Sequence, residues 1–192
     1  MNENEDHLIH LCEVIFMSFI KKTKHRLSCV IRSELARIDF RCVIAGAVII
    51  LLCGFLSALA GGSAAYYREL ERPRWAPPAF LFPIVWTVLY ILIGGAAGAI
   101  TCVRDRSLES EKLKGLLFFV IMMVFNFIWS PLFFAARAFF AAFVAIVMMI
   151  ILTFFIICFF GRIYKVTAAV MVLYLAWLFF AAYLNLAIII LN

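Results

Sequence analysis

The chain has 192 residues, of which 67% are hydrophobic and only 15% charged, with a mean hydropathy of +1.11. A soluble domain is about half apolar, so this excess has nowhere to go in water, whereas lipid accommodates it. The net charge of +6 does not point to nucleic acid, because the basic residues sit in an N-terminal extension and in short links between apolar runs.

Residues 1–40 differ from the rest. Glu3, Glu5 and Asp6 exclude a basic signal-peptide start and argue against a mitochondrial presequence. The stretch from His7 to Ile20 is rich in Leu, Ile, Val and Phe and is followed by basic residues. It reads either as a helix lying on the membrane or as a poorly ordered extension. His7, His10 and His25 all fall here and read as solvated side chains rather than ligands.

Five apolar runs follow, at about 42–67, 77–103, 115–136, 138–161 and 166–191. A bilayer core takes about 20 residues of helix, and an open strand leaves its backbone unsatisfied in lipid. The expectation is an all-α integral membrane protein, a bundle of five transmembrane helices spanning residues 41–192. Pro77 and Pro78 are expected at the start of the second span, where a missing N–H costs nothing. Pro83 and Pro131 fall inside spans and are expected to kink them or mark a local end. Arg137 makes a very tight link between the third and fourth spans.

Of the 17 Lys and Arg residues, 13 lie on the side of the N-terminus; Arg68, Arg72, Arg74 and Arg137 lie on the other. Positive-inside then predicts a cytoplasmic N-terminus, with the C-terminus opposite. The cysteines are Cys12, Cys29, Cys42, Cys53, Cys102 and Cys158, with no C-x-x-C pair. That scatter implies neither a disulfide framework nor a metal site, and small apolar residues is the simpler reading.

None of the spans has Asp, Glu, Lys, Arg or His in its interior. This weighs against ion or proton coupling and against hydrolytic chemistry, so no catalytic residue is assigned. The spans offer indoles and amides instead. Trp86, Trp129 and Trp177 lie within spans, while Trp75 lies in the loop before the second. Facing one cavity, the indoles would form a slot for a flat apolar ligand; facing neighbouring helices, they simply pack. Asn126 stands three residues before Trp129, and Asn185 eight after Trp177, so each amide shares a helix face with an indole. Interhelical hydrogen bonding would also account for both amides. Gly94 and Gly98 give a small-x-x-x-small face suited to close approach within the bundle or between protomers.

These residues carry a resemblance. Arg72-Pro73-Arg74-Trp75-Ala76-Pro77-Pro78 resembles the K-P-x-W-x-P-P signature of the tryptophan-rich sensory protein/translocator protein (TspO, peripheral benzodiazepine receptor) family. Phe82-Pro83-Ile84-Val85-Trp86-Thr87-Val88-Leu89-Tyr90 is similar to its F-P-x-V-W-x-x-L-Y. Asn126-Phe127-Ile128-Trp129-Ser130-Pro131-Leu132-Phe133-Phe134 and Tyr174-Leu175-Ala176-Trp177, continuing to Asn185 and Asn192, resemble its remaining segments, in order, over residues 42–192. The resemblance implies a five-helix bundle, often dimeric, with a ligand cavity at one end beneath the first loop. It also implies a pocket of Trp86, Tyr90, Asn126, Trp129, Trp177 and Ala181, with Tyr66, Tyr67 and Trp75 closing over it and Asn185 as an interhelical polar contact.

The ligand class it implies is tetrapyrrole, porphyrin or haem, with no required cofactor and no metal. The roles are receptor, transport or regulatory, in tetrapyrrole metabolism or stress response. A light-dependent porphyrin-degrading enzyme, or a regulatory membrane partner with a vestigial pocket, are the alternatives. The chain departs from the family pattern at Tyr66 (often Trp), at Ala145 (often acidic) and after Asn185, where Leu186 and an aliphatic run replace the terminal sterol-recognition pattern.

Overall fold

The computed structural model describes residues 28–61, 70–71 and 73–192. The chain divides into two compact units, one ending at Arg37 and the other running from Ile38 to Asn192. In the first, residues 28–35 are helical and Ser33 Oγ donates to the carbonyl of Val30. The expected surface helix over His7–Ile20 lies outside the described residues.

The second unit is a bundle of five long helices: α1 (Phe40–Gly61), α2 (Leu81–Thr101), α3 (Glu109–Ser130), α4 (Phe139–Ile163) and α5 (Lys165–Leu191). All five are long and apolar enough to cross a bilayer, and no strand occurs among the described residues. α1 packs chiefly on α2, α4 lies between α3 and α5, and α2 closes the bundle against α5. Outward faces carry Leu52, Phe55, Val120, Phe154, Phe155, Val172 and Phe179, all exposed, a surface that only lipid satisfies.

Two starts in the bundle have a side chain that accepts from orphan N–H groups. Asp39 accepts from the Arg41 N–H at the head of α1. Asp105 accepts from both the N–H and the hydroxyl of Ser107, and these bonds hold its carboxyl below the usual carboxylate range. A 3-10 turn (Arg106–Leu108) then leads into α3, whose first turn carries Glu109 and Glu111 against the positive end of the helix dipole. The third helix thus begins well before residue 115.

Pro77, Pro78 and Pro83 depart from the sequence expectation, whereas Pro131 marks a local helix end as expected. Helix α2 starts at Leu81, so Pro77 and Pro78 precede it. Pro83 is its third residue, among the first four N–H groups that have no intrahelical acceptor, and no kink is required there. Pro131 ends α3, and the chain continues as a π-helical turn, Pro131–Ala135, closed by the Ala136 N–H on the Pro131 carbonyl. Arg137 takes a left-handed φ of 54°, which lets so short a link reverse the chain into α4.

Two tertiary pairings could not be read from spacing. Cys42, at the head of α1, is disulfide-bonded to Cys102, at the tail of α2, against the reading of all six cysteines as small apolar residues. The reason is the packing between them. A side chain at Gly98 would strike the Cys42 carbonyl, and one at Gly46 would strike the Gly94 carbonyl, so the two backbones touch and carry the cysteines together. The Gly94-x3-Gly98 face is therefore used within the bundle. Cys29, Cys53 and Cys158 are free thiols, and Cys12 lies outside the described residues.

Candidate functional site

A cavity of about 240 Å³ lies at the end of the bundle where α1 leaves and α2 enters. Helical periodicity supplies its wall. From α2 come Phe82, Trp86 and Tyr90, spaced by four; from α3 come Asn126, Trp129 and Ser130; from α5 come Trp177, Ala181, Leu184, Asn185 and Ile188. Gly54, Ser57 and Ala58 line it from α1, and Phe133 and Phe134 from the π turn. All six residues expected to contact a ligand thus line one space, with Asn185 beside them.

Trp86 is the hub of the aromatic wall. Its ring lies 6.2 Å from Trp129 at 34°, 6.2 Å from Trp177 nearly edge-on at 88°, and 5.4 Å from Tyr90. Trp129 in turn stacks on Phe133 at 5.1 Å. Centroid separations in this range are attractive between aromatic rings and fix their orientations.

Several polar side chains of the wall are hydrogen-bonded within the bundle. Trp129 Nε1 donates to Asn185 Oδ1 at 3.3 Å, and Asn185 Nδ2 donates to the Phe139 carbonyl at 3.0 Å, linking α3, α5 and the start of α4. Tyr90 Oη donates to Asn126 Oδ1 at 2.8 Å, and Asn126 Nδ2 donates to Tyr174 Oη at 2.7 Å. One atom stands apart. Trp177 Nε1 is buried and has no hydrogen-bond partner among the described residues. An orphaned indole N–H costs about 1–3 kcal/mol and is unusual in a folded chain.

Of the loop residues expected over the cavity, Trp75 is 79% exposed and does not line it, while Tyr66 and Tyr67 lie outside the described residues. Part of the loop is fixed nonetheless. Asn192 accepts from the Glu71 N–H and donates to the Glu71 carbonyl, both at 3.1 Å, and Leu70 is buried in a cluster with Phe133, Ala142 and Ile188.

With this geometry in hand, comparison with known proteins is decisive. The TspO/MBR family profile matches residues 45–191. The chain belongs to the TspO/MBR family. A TspO/MBR relative, the tryptophan-rich protein TspO of Chlorobaculum tepidum, is 36% identical over 127 residues, covering 66% of this chain and 79% of that one. Protein CrtK of Rhodobacter capsulatus is 28% identical over 125 residues (65% and 76%), and the translocator protein of Ovis aries 29% over 135 residues (69% and 79%). The chain is thus a multi-pass integral membrane protein of the TspO/MBR family, in contact with the bilayer through its five helices.

Some wall residues escaped the sequence reading. Gly54, Ser57 and Ala58 put small residues at one face of α1, a spacing visible in the sequence but without chemistry to mark it. Tyr174, fully buried behind Asn126, belongs to a quoted motif, yet its role appears only once α3 and α5 are packed together.

Proposed function

We propose that this protein is a membrane receptor or transporter-type protein that binds tetrapyrroles (porphyrin, haem) or similar planar apolar ligands in the cavity, in tetrapyrrole regulation or a stress response. The observation that carries the reading is the convergence of Trp86, Trp129 and Trp177, from three helices, on one cavity whose wall retains a buried indole N–H with no partner among the described residues. In this reading the indoles stack on the ring system, Ala181 leaves room for it, and Tyr90 and Asn126 supply polar contacts.

A volume of about 240 Å³ is below the ~300–1,000 Å³ usual for pockets that engulf a drug-sized ligand. A porphyrin would therefore enter edge-first, with part of its ring beyond the wall. The excess of basic residues supports a cytoplasmic N-terminus. A homodimer would use a face other than Gly94–Gly98, which α1 covers.

The test is titration of the detergent-solubilised protein with protoporphyrin IX, read by quenching of tryptophan fluorescence. Trp129→Ala and Trp177→Ala should each weaken binding about tenfold or more, worth about 1.4 kcal/mol or more, with helicity unchanged. Unchanged titrations in both variants would reject the stacking role. Illuminating the complex separates binding from photo-oxidation, since the latter requires product beyond that of a tryptophan-depleted variant.

A further inference from the structure

Behind the cavity wall runs a chain of hydrogen bonds that crosses four helices and ends on a sulfur atom. Tyr90 Oη (α2) donates to Asn126 Oδ1 (α3), Asn126 Nδ2 donates to Tyr174 Oη (α5), and Tyr174 Oη donates to Met149 Sδ (α4) at 3.6 Å. Tyr90 and Asn126 line the cavity; Tyr174 and Met149 do not, being 0% and 1% exposed.

The far end sets the direction of the whole chain. A thioether sulfur has no proton and only accepts, so the hydroxyl proton of Tyr174 goes to Met149. The Tyr174 oxygen is then an acceptor for Asn126, which must present its NH₂ there and turn its carbonyl oxygen toward Tyr90. Tyr90 answers a carbonyl by donating its only proton to it. Its oxygen keeps a free lone pair but has no second proton to offer, on a residue that lines the cavity.

We infer that Met149 and Tyr174 are positioning residues that fix Tyr90 as a hydrogen-bond acceptor, so that the cavity selects planar ligands carrying an N–H or O–H donor on the edge that meets it. The inference rests on the ligand-binding reading above and specifies the chemistry of its ligand. If the amide of Asn126 were reversed, Nδ2 would face Tyr90, whose proton would swing into the cavity and favour acceptor-bearing ligands instead. The sulfur would then lose its donor.

The experiment compares two flat bicyclic probes that differ at one ring atom. 2-Quinolinone has an N–H where coumarin has an oxygen, and both are small enough for the cavity. Equilibrium dialysis against the detergent-solubilised full chain gives both affinities. 2-Quinolinone should bind about tenfold more tightly. Tyr90→Phe should bring that ratio to about one. Tyr174→Phe, which frees Asn126 to turn its NH₂ toward Tyr90, should bring it to one or below. Met149→Leu, close in volume and remote from the probe, should lower the ratio with coumarin affinity within about twofold of the parent. Coumarin binding thus reports that each variant is folded, and the ratio is a readout that a merely structural loss would not move.

Equal affinities in the parent protein, or a preference that survives Tyr174→Phe, would overturn the inference while leaving the ligand-binding reading standing. Failure of both probes and of protoporphyrin IX to bind would overturn the two together.

Discussion

The hydroxyl of Ser57 on α1 donates to the carbonyl oxygen of Phe127 on α3 at 2.6 Å, and the cause lies four residues further on, at Pro131, the first residue of the π turn. Proline has no N–H, so the carbonyl four residues before it loses its helical partner. In a bilayer no water replaces that partner. Ser57 supplies it from the neighbouring helix, beside the cavity that both helices line.

Ser57→Ala should therefore leave Phe127 unsatisfied and cost about 1–3 kcal/mol in a denaturing-detergent titration. Pro131→Ala restores an N–H, so in that background the cost of Ser57→Ala should shrink to a few tenths of a kcal/mol, about the limit of additivity. Additive losses in the double-mutant cycle would show that Ser57 acts in some other way.

The contact of α1 with α2 depends on glycine only where backbones meet. Gly98→Ala puts a methyl into the Cys42 carbonyl and should cost about 1–3 kcal/mol through overpacking. Gly161→Ala is the control. Its methyl would meet Ala168 Cβ at 3.3 Å, and the gain in helix propensity, about 0.5–1 kcal/mol, should offset that crowding. Equal losses from the two changes would mean that the α1–α2 contact has no special demand for glycine.

The Cys42–Cys102 bond ties the head of α1 to the tail of α2, at the end of the bundle away from the cavity. Among the cysteines of the described residues, alkylation of the unfolded, unreduced chain should spare these two and label Cys29, Cys53 and Cys158, and Cys42 and Cys102 should become labelled after reduction. Cys42→Ser/Cys102→Ser should lower stability by about 2–4 kcal/mol with ligand affinity little changed. Disulfides persist in oxidising compartments, whereas the proposed orientation, from the count of basic residues, would place this end in the cytoplasm. Labelling in intact membranes before and after a membrane-impermeant reductant tells the two apart. Release of thiols by an external reductant would reverse the proposed orientation.

Asn185 joins three elements by accepting from Trp129 Nε1 and donating to the Phe139 carbonyl. Asn185→Leu should cost about 1–2 kcal/mol, the upper range for such bonds between membrane helices, and should loosen the Trp129 ring. The measurable sign is a shifted tryptophan emission maximum, which Asn192→Ala at the helix end should not produce.

The five spans, their lack of interior charge, and the pairing of Asn126 with Trp129 and Trp177 with Asn185 on common faces were legible in the chain itself. Each follows from a local rule: lipid demands that a helix satisfy its own backbone, and a period of 3.6 puts residues three, four or eight apart on one side. What faces that side is not local. Only packing decided that Gly94 and Gly98 meet Gly46 and Cys42 of the same chain, that Cys42 finds Cys102, and that the indoles surround a space. Packing likewise brought Tyr174 and Met149 behind Asn126, because a hydrogen-bond chain through four helices is a property of their arrangement, and no one helix encodes it.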